Sequence, residues 1–75
     1  MVRAMSIEEL ERLIRRKYHI SKLAKLEKVE VTDYLAVFKF SNGKLVMVTF
    51  DKYDAKKKLF VFEEEPLMVV GFTAQ

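Results

Sequence analysis

The sequence predicts an α+β fold in which an N-terminal amphipathic helix packs on an antiparallel meander of four or five strands. Three observations predict it. Apolar residues recur at helical spacing from Ile7 to Tyr18, the period falls to two from Lys28 onward, and Asn42-Gly43 lies between two β-rich runs. With 75 residues the chain is near the lower limit for a single core, so residues 1–75 are read as one domain. Hydrophobic residues make up 51% of it, far more than a disordered chain carries.

The helix starts at Ser6-Ile7-Glu8-Glu9, a capping box in which the Ser6 hydroxyl serves the amide three residues on and the Glu9 carboxylate reaches back. Ile7, Leu10, Leu13, Ile14 and Tyr18 then form one apolar stripe, and Glu8, Glu9, Glu11, Arg12, Arg15 and Arg16 fill the rest. The acids occupy the first turn and the bases the last, which suits the helix dipole; Glu8 with Arg12 and Glu11 with Arg15 are i,i+4 pairs in the favourable order. Ile20, Leu23 and Ala24 either extend the stripe or belong to a linker.

A first strand is expected over roughly Lys28 to Asp33, followed by Leu35 to Phe40 and Leu45 to Asp51 as a hairpin. Asn-Gly favours a two-residue turn with both central residues at positive φ. That turn opposes Ser41 to Lys44, Phe40 to Leu45, Phe38 to Met47, Val37 to Val48 and Leu35 to Phe50. One face then carries Ala36, Phe38, Phe40, Leu45 and Met47, and the other carries Leu35, Val37, Val46, Val48 and Phe50. Lys52 to Lys58 reads as a polar connection, and two further strands follow at Leu59 to Phe62 and Leu67 to Phe72.

Both faces of the hairpin are apolar, whereas a hairpin wetted on one side alternates apolar and polar. A single helix covers one face. The second is closed by a small, partly closed barrel, by a second copy of the chain, or by a ligand in a concave face. Association is the preferred reading, because it buries the surplus and adds stability to a small core that has no cysteine to staple it. The expected partner face is Leu35, Val37, Val46, Val48 and Phe50, meeting a second copy in a homodimer or another protein.

The composition excludes several function classes. Without cysteine there are no disulfides, thiolate metal sites or thiol nucleophiles. No apolar run approaches a membrane span and no apolar leader segment precedes the helix, so no membrane partner and a cytosolic address are expected. His19, the one histidine, follows Arg16-Lys17-Tyr18 near a helix C-terminus, where the dipole welcomes an imidazolium and not a metal cation. Glu63-Glu64-Glu65 supplies hard oxygen ligands, but successive residues of an extended segment point to opposite sides and do not converge. No nucleophile elbow or phosphate-cradling glycine loop occurs. Neither catalytic residues, cofactor, metal nor small-molecule substrate is expected, and the chain is read as non-enzymatic.

A net charge of +3 falls unevenly, from +4 over residues 1–28 through +2 over 29–62 to −3 beyond. The alternative reading is therefore a sequence-nonspecific nucleic-acid binder, with Arg15, Arg16, Lys17, Lys56, Lys57 and Lys58 contacting phosphates and Tyr34, Phe38, Phe40, Tyr53 and Phe60 available to stack bases. The high charged fraction, with one Asn, one Gln and no Cys, follows the direction of thermophilic proteins. The order of helix then strands carries no function of its own.

Overall fold

The computed structural model describes residues 2–72, and its architecture is α+β, as the periodicity predicts. In chain order it contains β1 (Arg3–Met5), α1 (Ile7–Lys17), β2 (Leu26–Val31), β3 (Leu35–Phe40), β4 (Lys44–Thr49), β5 (Lys52–Asp54), β6 (Leu59–Phe62) and β7 (Met68–Phe72). The strands form two antiparallel sheets, one of four strands in the order β2-β3-β4-β7 and one of three in the order β1-β6-β5. The larger sheet is an open meander and not a closed barrel, so both of its outermost strands keep an edge.

α1 begins as its sequence dictates. The Glu9 amide donates to Ser6 Oγ at 3.2 Å and the Ser6 amide to Glu9 Oε1 at 3.3 Å, which satisfies two donors that the first turn leaves without helical partners. It ends at Lys17, with Tyr18 as cap and His19 in the left-handed region at φ 51°. The Ile20 amide then donates to Arg15 O at 3.0 Å, the long bond of a Schellman ending. Glycine usually takes the left-handed seat, so the lone histidine has a backbone role here. Ile20 and Ala24 lie beyond the helix yet are buried, and Leu23 between them stands exposed.

The β3–β4 hairpin departs from the expected register. Its loop has three residues, closed by the Gly43 amide donating to Phe40 O at 3.0 Å, with Gly43 at φ 87°. Asn42 stays out of the positive-φ region that a two-residue turn demands, and its Oδ1 accepts from the Lys44 amide at 3.1 Å. Ala36 therefore faces Val48, Val37 faces Met47, Phe38 faces Val46 and Leu35 faces Thr49, one residue away from the expected pairing. Since side chains alternate along a strand, that slip re-sorts the faces. Ala36, Phe38, Phe40, Val46, Val48 and Phe50 share the inner face and are all buried; Leu35, Val37, Leu45 and Met47 share the outer face and are half-buried.

The inner face packs on α1 through Leu10 and Ile14 and on the small sheet through Met5, Phe60 and Phe62, making one core. Rings join the layers: Phe50 and Phe60 meet edge-on at 5.0 Å between centroids, and Tyr53 lies 4.7 Å from Phe60. Short β1 and β5, absent from the expected element order, provide the flanks of the small sheet. The span expected to be a polar connection thus holds β5 and a turn over residues 55–58, where Asp54 Oδ1 accepts from the Lys56 and Lys57 amides and Lys58 adopts φ 56°.

The left-handed seat at His19 generates a prediction. A left-handed conformation costs a non-glycine residue about 1–2 kcal/mol, partly offset by the extra chain entropy that glycine loses on folding. His19→Gly is expected to raise unfolding free energy by up to about 1 kcal/mol, and His19→Val, branched at Cβ, to lower it by about 1–2 kcal/mol. Urea denaturation of the three proteins measures both differences, and equal midpoints would contradict the assignment.

Candidate interaction surface

The register assembles an outer face with two unlike halves. Cross-strand rows run Lys28–Lys39–Leu45–Gly71 and Glu30–Val37–Met47–Val69, and a shorter row runs Leu35–Thr49–Leu67. On the β2 side the rows begin with an ionic cluster. Glu30 Oε1 lies 3.0 Å from Lys39 Nζ and 3.1 Å from Lys28 Nζ. The hydrogen bond from Lys39, and then that from Lys28, hold the Glu30 carboxyl below its ordinary value of 4.5. On the β7 side the same rows end in Leu45, Met47, Leu67 and Val69, with no charge among them.

Among the described residues this outer face has no second layer. α1 and the small sheet both give their buried residues to the inner face, and none of Leu35, Val37, Leu45 and Met47 belongs to the core or packs against it. On β7 the outer-face residues Leu67 and Val69 are 71% and 59% exposed, and Phe72, on the alternate side of the strand, is 72% exposed.

β7 is also an edge of the sheet. The Thr49 amide donates to Leu67 O at 3.0 Å, so Leu67 and the alternate positions Val69 and Gly71 turn their backbone groups towards β4. Met68, Val70 and Phe72 turn theirs away from it, and no other backbone partner meets them among the described residues. Run 67–72 contains no charged residue. The opposite edge is guarded: β2 carries Glu27, Lys28 and Glu30, and its pairing with β3 shifts between Leu26 and Lys28. Charges and irregularities of this kind are what keep a strand edge from pairing with another chain.

Of the five residues expected to form a partner face, the structure keeps only Leu35 and Val37 on the outside. Val46, Val48 and Phe50 are core residues, because the three-residue loop rotates β4 by one position relative to the two-residue turn. Their places outside are taken by Leu45 and Met47, which a two-residue turn would put on the other face. Leu67 and Val69 were missed as surface residues; the uncharged run they belong to was visible in the sequence, but its position at an edge was not.

The six residues expected to contact phosphate divide between the end of α1 and the β5–β6 turn. Arg15 is committed within the fold: Nε meets Glu11 Oε2 at 2.9 Å, the guanidinium donates to Ser21 O at 3.0 Å and stands 5.1 Å over the Phe40 ring. Lys17 leans over Tyr18, 5.8 Å from its ring centroid. Arg16 joins Arg3, Arg12, Glu9, Met5 and Leu13 around a groove of about 210 Å³ between β1 and α1, in which none of Lys56, Lys57 and Lys58 takes part. Those three stand exposed on the β5–β6 turn. Phe38, Phe40 and Phe60 are buried, so no base can stack on them. The Glu8–Arg12 pair expected from helical spacing is not among the ion pairs of the described residues, which include Arg3–Glu65 at 3.5 Å.

Glu63, Glu64 and Glu65 line a hollow of about 350 Å³ with Asp51, Thr49, Phe50, Phe62 and Leu67. Asp51 Oδ2 there accepts from the Glu63 amide at 2.8 Å, fixing the bend that carries the chain from β6 towards β7. No helix among the described residues is long and apolar enough to cross a membrane. Compared with protein-family models, with curated proteins and with solved structures, the chain matches none, so its reading rests on its own geometry.

The ionic half of the outer face generates a pH prediction. A carboxyl whose folded pKa is depressed contributes stability above its unfolded value, and that contribution is lost as pH falls through the folded value. Carbon-detected titration is expected to place the Glu30 midpoint below the ordinary 4.5, and Lys39→Met to move it upward. A Glu30 midpoint indifferent to Lys39 would show that the contact does not form in solution.

Proposed function

We propose that this chain is a non-enzymatic interaction module that self-associates as a homodimer through the β7 edge and the exposed apolar side chains along it. One observation carries the reading: exposed Leu67, Val69 and Phe72 all fall on the same uncharged, unguarded edge of a sheet whose other edge and other half are charged. An apolar surface bounded by polar ones is the pattern of a protein contact. Burial of that strip in a second copy stabilises both contact and fold, which matters for a chain of 75 residues.

Other features support a binding role over catalysis. The one histidine serves the end of α1, and the acids that could act together are spread around an open hollow at a bend. Side-chain placement supports the nucleic-acid alternative less well, since Arg15 is held by Glu11 and Ser21 and three of the five candidate stacking rings, Phe38, Phe40 and Phe60, are in the core.

Light scattering on a sizing column at about 50 µM tests the reading. The expected mass is twice the 8.8 kDa of one chain. Val69→Lys places a charge on the exposed edge without touching the core and is expected to weaken association about tenfold or more. A monomeric mass for the unaltered chain at that concentration overturns the reading.

A further inference from the structure

Self-association leaves open how two copies meet, and the backbone of β7 restricts the answer. Resting on the reading above, we propose that two copies join β7 to β7 as antiparallel neighbours, with the twofold axis at Val70, so that the two four-stranded sheets become one continuous eight-stranded sheet.

Charge argues against packing face on face. Half of the outer face carries Lys28, Glu30 and Lys39, and a second copy laid on it would take those groups out of water. Main-chain hydrogen bonds along β7 join two copies without covering that half.

Among the described residues, the outward groups of β7 are self-complementary. Met68, Val70 and Phe72 present their N–H and C=O groups outward at even spacing, with Val70 in the middle. A twofold axis there pairs Val70 with Val70 of the partner subunit, Met68 with the partner's Phe72, and Phe72 with the partner's Met68. Each such pair exchanges two N–H···O bonds. No shift or bulge is required, and every outward group among the strand's described residues finds a partner.

Side chains agree with this register. On the inner side Phe72, 72% exposed, lies next to the partner's Met68. On the outer side Val69 lies across from the partner's Gly71, a non-hydrogen-bonded pair in which Cα atoms approach to about 4.5 Å. Within its own chain Gly71 has no steric reason to be glycine, because nothing stands within 4 Å of where a Cβ would be. A close neighbour arriving across the strand gives it one. The charges select the orientation. A parallel arrangement would lay Glu63, Glu64 and Glu65 of the two copies side by side, whereas the antiparallel one sends them to opposite ends of the joined strands.

Amide hydrogen exchange combined with light scattering tests the mode separately from the association itself. Phe72→Pro removes one outward donor from each copy and no buried side chain, and Leu23→Lys, at an exposed loop position, is the control. The expected result is a dimer in which the Met68, Val70 and Phe72 amides exchange about tenfold or more slowly than in a dilute, monomeric sample. Phe72→Pro is expected to weaken association about tenfold with the thermal midpoint of the dilute protein unchanged, and Leu23→Lys to leave association as it was. A dimer whose three amides exchange as fast as in the monomer, or one that Phe72→Pro leaves at full affinity, overturns the edge pairing while self-association stands. A monomer overturns both.

Discussion

Gly43, held at φ 87° and closing a three-residue loop onto Phe40, decides which side chains of this chain are core and which are surface. The β3–β4 pair is the centre of the larger sheet, and both of its strands are apolar on both sides. Such a ribbon can be buried either way round, so hydrophobicity does not choose. Turn geometry does, because a period of two converts one residue of register into an exchange of faces. In the observed register the inner face collects Phe38, Phe40, Val46, Val48 and Phe50, with small Ala36 across from Val48. The bulkiest aromatic residues of the hairpin thereby meet Phe60 and Phe62, and the outer face receives the thinner aliphatic set.

The rest of the fold follows from that choice. A four-turn helix could not roof the inner face alone, and α1 spans only 11 residues. The chain completes the roof by leaving the large sheet after β4, running out and back as β5 and β6, and closing that hairpin against β1, the three residues that precede the helix. Both covering layers end on the same side. One core is therefore complete and no described residue forms a layer over the outer face, which the sequence divides by charge: Lys28, Glu30 and Lys39 wet one half and leave the half next to β7 apolar.

Parts governed by neighbours in sequence were legible before any coordinates. The capping box of α1, the span of β3 and the span of β6 follow from local pattern, and each was placed to the residue or nearly so. Parts governed by distant pairing were not. β1 and β5 are too short to show a period of two and are strands only because β6 lies between them. Asn42-Gly43 pointed to the correct hairpin and the wrong loop, since the pair suits both a two-residue turn and a three-residue loop with glycine last, and Asn42 Oδ1 bonding to the Lys44 amide favours the second. For the candidate surface, the apolar surplus of the hairpin was visible while its address was not. An edge is a property of strand order, which no single strand records.

The basic character of the chain shows the same separation between composition and placement. A sequence pI near 9.3 invites an anionic partner. Yet several cations are committed to local tasks: Arg15 ties α1 to the loop at Ser21 and covers Phe40, Lys28 and Lys39 grip Glu30, Arg3 meets Glu65, and Lys44 approaches the Phe72 ring at 6.0 Å. Lys56, Lys57 and Lys58 cluster on the β5–β6 turn, whose Lys56 and Lys57 amides are held by Asp54. Where the charges are absent tells more than where they gather. Within a chain one-third charged, the uncharged run from Leu67 to Phe72 lies on a sheet edge. A sequence free to place a lysine anywhere leaves that edge bare, and a bare edge with its amides outward is a surface suited to another strand.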